Sequence, residues 1–67
     1  MTVGSKMKQT IAGLKSAQAS LETFALETEN QQAKQLYQQM AQNTQSVIDG
    51  LTPRMQQIEQ EEPQYKS

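Results

Sequence analysis

The sequence predicts an all-α fold: an antiparallel two-helix hairpin that pairs into a four-helix bundle. Three observations predict it. Apolar residues recur at spacings of three and four in two long stretches. The pattern lapses once, at Leu26-Glu27-Thr28-Glu29-Asn30, where turn-forming residues gather. The chain has 67 residues with Cys 0 and His 0, so neither disulfides nor the commonest metal ligands can staple a small core. Oligomerisation is the remaining staple.

The first helix is expected over about 3–27, capped by Thr2 or Ser5. Its apolar positions are Val3, Met7, Ile11, Leu14, Leu21, Phe24 and Ala25, with Ala17 between. Met7, Leu14 and Leu21 lie one heptad apart, and Thr10, Ala17 and Phe24 are expected at the complementary seam positions. Gly13 costs this helix about 1 kcal/mol relative to Ala.

A turn is expected at about 28–30. Thr28 and Gln31 fit a capping box, with Asn30 as a competing cap.

The second helix is expected over about 31–62. Its stripe is Ala33, Leu36, Met40, Thr44, Val47, Leu51, Met55 and Ile58, with Tyr37, Ala41 and Ile48 widening one side. The stripe's steps repeat every eleven residues, which suits a straight or slightly right-handed helix. A face this wide can touch two neighbours. Pro53 is expected to kink this helix, or to break it with Gly50 and Thr52 nearby. A kink is favoured because the apolar steps pass through the proline in phase. Pro63 ends the helix, and 63–67 is expected to be a flexible tail.

Folding the chain at residue 29 sets Leu21 against Tyr37, Ile11 against Val47 and Ile48, and Met7 against Leu51. Residues beyond Pro53 then overhang the first helix by about 10 Å and leave Met55 and Ile58 exposed to a partner.

Composition narrows the function. Hydrophobic residues make up 34% and net charge is −1, so the low apolar content does not come with the charge of a disordered chain. Gln forms helices well, and the Gln-rich faces are expected to be solvated helix surface. No apolar run approaches a membrane span, and the start lacks the apolar core of a signal peptide, so a cytoplasmic location is expected. Near-neutral charge argues against nucleic-acid binding.

The sequence offers no catalytic constellation. Ser5, Ser16, Ser20 and Ser46 have no histidine to activate them. The acids are Glu22, Glu27, Glu29, Asp49, Glu59, Glu61 and Glu62, and none forms the Glu-x-x-His pair of a ferritin-like metal bundle. The expectation is no enzyme, no cofactor and no metal; a degenerate ferritin-like metal protein is a minor alternative.

The candidate sites are therefore contacts. Lys6, Lys8 and Lys15 oppose the macrodipole of the first helix. They could answer Glu59, Glu61 and Glu62 of a second chain, or, as the alternative function, make a small module for nucleic acid or anionic membrane. Gly13, Ala17, Ser20 and Phe24 form a small-residue strip suited either to a homodimer contact or to close packing inside the hairpin. Met7, Met40 and Met55 fill core, or line an adaptable surface. Met55, Ile58, Glu61, Glu62 and Tyr65 mark the overhang and a candidate docking peptide, with a plain terminus as the default.

Three segments carry a resemblance: Met1-Thr2-Val3-Gly4-Ser5-x-Met7-Lys8-Gln9-Thr10, Ala17-Gln18-Ala19-Ser20-Leu21-Glu22-Thr23-Phe24-Ala25-Leu26, and Pro53-Arg54 through Glu59, Glu61-Glu62-Pro63-Gln64-Tyr65. Together they resemble short proteins of spore-forming Firmicutes catalogued as a domain of unknown function, family 1657. The resemblance spans nearly the whole chain. It implies a helical accessory protein of spore formation, resistance or germination, encoded near spore membrane proteins such as the dipicolinic-acid channel group. A spore membrane protein would then be a partner, and the location the spore interior or its inner membrane. It assigns no catalytic residues.

Overall fold

The computed structural model describes residues 3–61. Two helices and no strand occur among them: α1, Val3–Glu27, and α2, Gln31–Glu61. They pack along their lengths as an antiparallel hairpin 51 Å long, 18 Å wide and 10 Å thick.

The turn is short and needs no glycine. Thr28 N–H donates to the Phe24 carbonyl at 3.0 Å and closes α1. The Thr28 hydroxyl then accepts Asn30 N–H at 3.2 Å, and Asn30 Oδ1 accepts Ala33 N–H at 3.0 Å. Asn30 is thus the N-cap of α2. The Thr28–Gln31 capping box does not form, because the Thr28 hydroxyl is spent on the turn itself. No described residue adopts a positive φ. Ser5 lies inside α1 and does not cap it; Thr2 lies outside the described residues.

The seam of the hairpin is heptad-spaced on both helices. On α1 the inward positions are Gly4, Met7, Ile11, Leu14, Gln18, Leu21 and Ala25. On α2 they are Tyr37, Ala41, Thr44, Ile48, Leu51, Met55 and Ile58. Steps of three and four alternate on each side, the period of left-handed antiparallel packing. This corrects two expectations. Ile11, Gln18 and Ala25, not Thr10, Ala17 and Phe24, complement Met7, Leu14 and Leu21. On α2, Tyr37, Ala41 and Ile48 are the centre of the buried stripe, whereas Leu36 and Val47 lie on its outer flank, 54% and 48% exposed.

The core is thin. Ile11, Ala25, Ala41, Ile48 and Ile58 are buried, and no large side chain among the described residues is wholly enclosed. Phe24 reaches from the flank of α1 to Tyr37, with ring centroids 5.8 Å apart in an edge-on arrangement.

α2 continues through Pro53. The break that Gly50, Thr52 and Pro53 would allow does not occur. Thr52, a candidate cap for a new helix, instead donates its hydroxyl to the Ile48 carbonyl at 2.8 Å. Pro53 is exposed, so its ring meets solvent rather than the seam. The expected overhang is also corrected. Ile58 is buried and Met55 half-buried, and Lys8 Nζ sits 2.6 Å from the Glu59 carboxylate. The last turns of α2 are therefore beside the first turns of α1. Buried Gly4, which brings no side chain to the seam, leaves room for that approach.

Candidate interaction face

At about 3.6 residues per turn, each helix presents two flanks beside its buried stripe. The flanks of the hairpin differ in chemistry. One is polar and tied across. Gln18 Nε2 donates to Gln45 Oε1 at 2.9 Å, and Lys8 pairs with Glu59. Gln18, Glu22, Gln38, Gln42 and Gln45 line an open trough on this side, with Ala41 at its floor. Gln45 also donates to Asp49 Oδ1 at 2.8 Å, which orients its amide.

The opposite flank is apolar and open. Helical spacing puts Val3, Thr10, Gly13, Ala17 and Phe24 on it from α1, beside half-buried Leu14 and Leu21. From α2 come Leu36, half-buried Met40, Val47 and Gly50. Val3 is 58% exposed and Phe24 48% exposed. A Cβ added at Gly13 or Gly50 would meet nothing within 4 Å. Leu26, the most exposed large apolar side chain, stands apart on the other side of α1 near the turn.

These positions sort the residues singled out from sequence. Gly13, Ala17 and Ser20 are exposed and stand off the seam, whereas Phe24, also exposed on its outer side, packs against Tyr37 within the hairpin. Met7 and Met55 belong to the seam as half-buried residues, and Ile58 to the core. Lys8 pairs with Glu59 of its own chain. Glu61 is exposed and lies 3.7 Å from Arg54. Glu62 and Tyr65, with the rest of the candidate docking peptide, lie outside the described residues. Lys6 lies on the apolar flank, while Lys8 and Lys15, one heptad apart, lie on the polar one. The three lysines do not form a single patch.

Sequence reasoning missed the outward placement of Leu36 and Val47 and the Gln18–Gln45 clasp. The signal for the first was present: Tyr37, Ala41, Thr44, Ile48, Leu51, Met55 and Ile58 form an unbroken heptad register. Gln18, at an inward position of α1, was the signal for the second.

Among the described residues, no three acidic side chains gather as metal ligands would. No helix there is long and apolar enough to cross a membrane.

The chain is thus an all-helical hairpin with one flank joined by polar pairs and the other left apolar. The chain belongs to a family described as proteins of unknown function (DUF1657), whose profile matches residues 7–55. No curated protein and no solved structure gives a significant match.

Proposed function

We propose that this protein is a non-enzymatic helical interaction protein that works as a homodimer, a four-helix bundle made from two hairpins. The observation that carries the reading is the apolar flank. Leu36 and Val47 of α2 and Val3 and Phe24 of α1 are each about half exposed or more, on one side of the molecule. Large apolar side chains collected on one side mark an interaction surface, whereas scattered ones do not. The broad side of the hairpin measures 51 by 18 Å, enough for the roughly 800 Å² per partner of a standard interface. The thin core supports the same reading, since a second hairpin would add the burial that a single one lacks. The family resemblance supports an accessory role in spore formation or germination, with a spore membrane protein as the eventual client.

Light scattering across a dilution series tests the dimer. Twice the monomer mass is expected at micromolar concentration. A folded monomer at every concentration overturns the proposal. For the spore role, the expected result is a germination or resistance defect in spores lacking the gene. Wild-type behaviour under both assays would remove that part.

A further inference from the structure

We propose that Met7 and Met55 form an oxidation site in the seam, at which hydrogen peroxide opens the free end of the hairpin. The site lies within one hairpin and does not depend on the homodimer.

The register brings the two thioether residues level. The Gln18–Gln45 hydrogen bond and the Phe24–Tyr37 ring contact set which residues face each other across the seam. Eleven residues back from Gln18 is Met7, and ten residues on from Gln45 is Met55. Both occupy inward positions and both are half-buried, so each serves the core while solvent still reaches part of it.

The composition concentrates oxidation on such residues. With Cys 0 and Trp 0, the methionine sulfurs are the groups that a peroxide oxidises first. Met1 lies outside the described residues, and half-buried Met40 belongs to the apolar flank. In the step itself, a sulfur lone pair attacks one peroxide oxygen. The S–O bond forms as the O–O bond breaks, and the other oxygen leaves as water with both protons. The sulfur gives up two electrons and the peroxide takes them. The sulfoxide is polar, and it costs free energy in a seam that gives it no hydrogen-bond donor.

The free end is where that cost has most effect. The turn end is closed by the chain itself, by the Asn30 cap and by Phe24 against Tyr37. At the free end Gly4 brings no side chain to the seam, and Val3 is 58% exposed. Pro53 offers no N–H, so α2 is one helical hydrogen bond short just before Met55. The first two turns of α1 therefore rest on Met7, Met55 and Ile58, with the partly exposed Lys8–Glu59 pair adding little. Two sulfoxides remove most of that attachment, while the seam from Leu14 to Ala25 keeps its partners. A local opening of this kind needs less free energy than unfolding the whole hairpin. Sulfoxide reductases convert the product back to the thioether, so the opening is reversible.

The test treats the full chain with hydrogen peroxide and follows it by mass spectrometry and backbone hydrogen exchange. Met7 and Met55 should each gain one oxygen. Amides of residues 7–11 should then exchange about tenfold faster or more, and those of residues 21–25 should change less. Enzymatic reduction of the sulfoxides should return the original rates. The Met7→Leu, Met55→Leu double variant, which conserves side-chain volume, should keep its exchange rates under the same treatment although Met1 and Met40 still oxidise. Met7 and Met55 left as thioethers while Met1 is converted would overturn the site. Unchanged exchange after both are oxidised would overturn the opening, and so would a double variant that opens as the wild type does. Should the double variant fail to fold, Met40→Leu carries the comparison: it should still open under peroxide, and protection there would place the sensitive sulfur on the apolar flank instead.

Discussion

Ile48 and Val47 are neighbours in the chain with opposite positions in the fold, and replacing each by alanine separates the roles of the two stripes. Ile48 is 3% exposed at the centre of the seam, whereas Val47 is 48% exposed on the apolar flank. Truncating a buried Ile to Ala costs about 2–5 kcal/mol, through lost transfer free energy and the cavity left behind. A domain with 67 residues has roughly 3–10 kcal/mol in total, at about 0.05–0.15 kcal/mol per residue. Ile48→Ala therefore removes a large share of the stability of the hairpin. Its circular-dichroism melting midpoint should fall by at least about 8 °C, at roughly 4–8 °C per kcal/mol. Val47→Ala removes about two methylene equivalents from a side chain already half in water. Its cost in a separate hairpin is about 1 kcal/mol or less. Measured at high dilution, the midpoint should drop by several times more for Ile48→Ala. At high concentration the Val47→Ala deficit should grow, because the proposed dimer would bury that side chain. Equal effects at high dilution, or a larger effect for Val47, would refute the heptad seam and favour the wider stripe centred on Leu36, Met40 and Val47.

Three other substitutions probe local features. Asn30→Ala removes the cap on Ala33 N–H and should cost about 1 kcal/mol, read as a lower urea midpoint with unchanged slope. Pro53→Ala restores a helical N–H inside α2 at an exposed site and should stabilise by up to about 3 kcal/mol, visible as a higher melting midpoint. Lys8→Ala removes the pair with Glu59, whose side chains are 52% and 28% exposed, and should cost no more than about 1 kcal/mol. Most of that difference should vanish in 1 M salt.

The helical hairpin was legible because both of its causes are local. Spacings of three and four specify helix wherever they persist, and the cluster from Glu27 to Asn30 interrupts them in one place. The cap was legible only as a choice between Thr28 and Asn30, since either side chain could serve and the turn geometry decided. The seam of α2 was harder, because Leu36, Met40 and Val47 are as apolar as Tyr37, Ala41 and Ile48. Apolarity says that a position leaves water without saying against which neighbour. A helix that contacts two neighbours carries two overlapping stripes, and a single chain displays the merged pattern. The α1 sequence breaks the tie. Ile11 and Ala25 share a face with Gln18, and the flank on that side of α1 is Lys8, Lys15 and Glu22, which demands polar residues across from it. The α2 flank that supplies them is Gln38, Gln42 and Gln45. Only one rotation of α2 satisfies that demand, and it turns Leu36 and Val47 outward on the other side.

That rotation also accounts for how so few apolar residues suffice. With 34% hydrophobic residues, the chain cannot surround each helix with apolar neighbours. It divides them between a seam inside the hairpin and a flank outside it, and fills the remaining surface with glutamine, which keeps helix propensity high without adding charge. A hairpin stabilised by its seam alone would gain from polar residues at Leu36, Val47 and Phe24, which would lower the cost of exposing them. Their collection on one side, facing away from the Gln18–Gln45 clasp, is what the proposed dimer would cover.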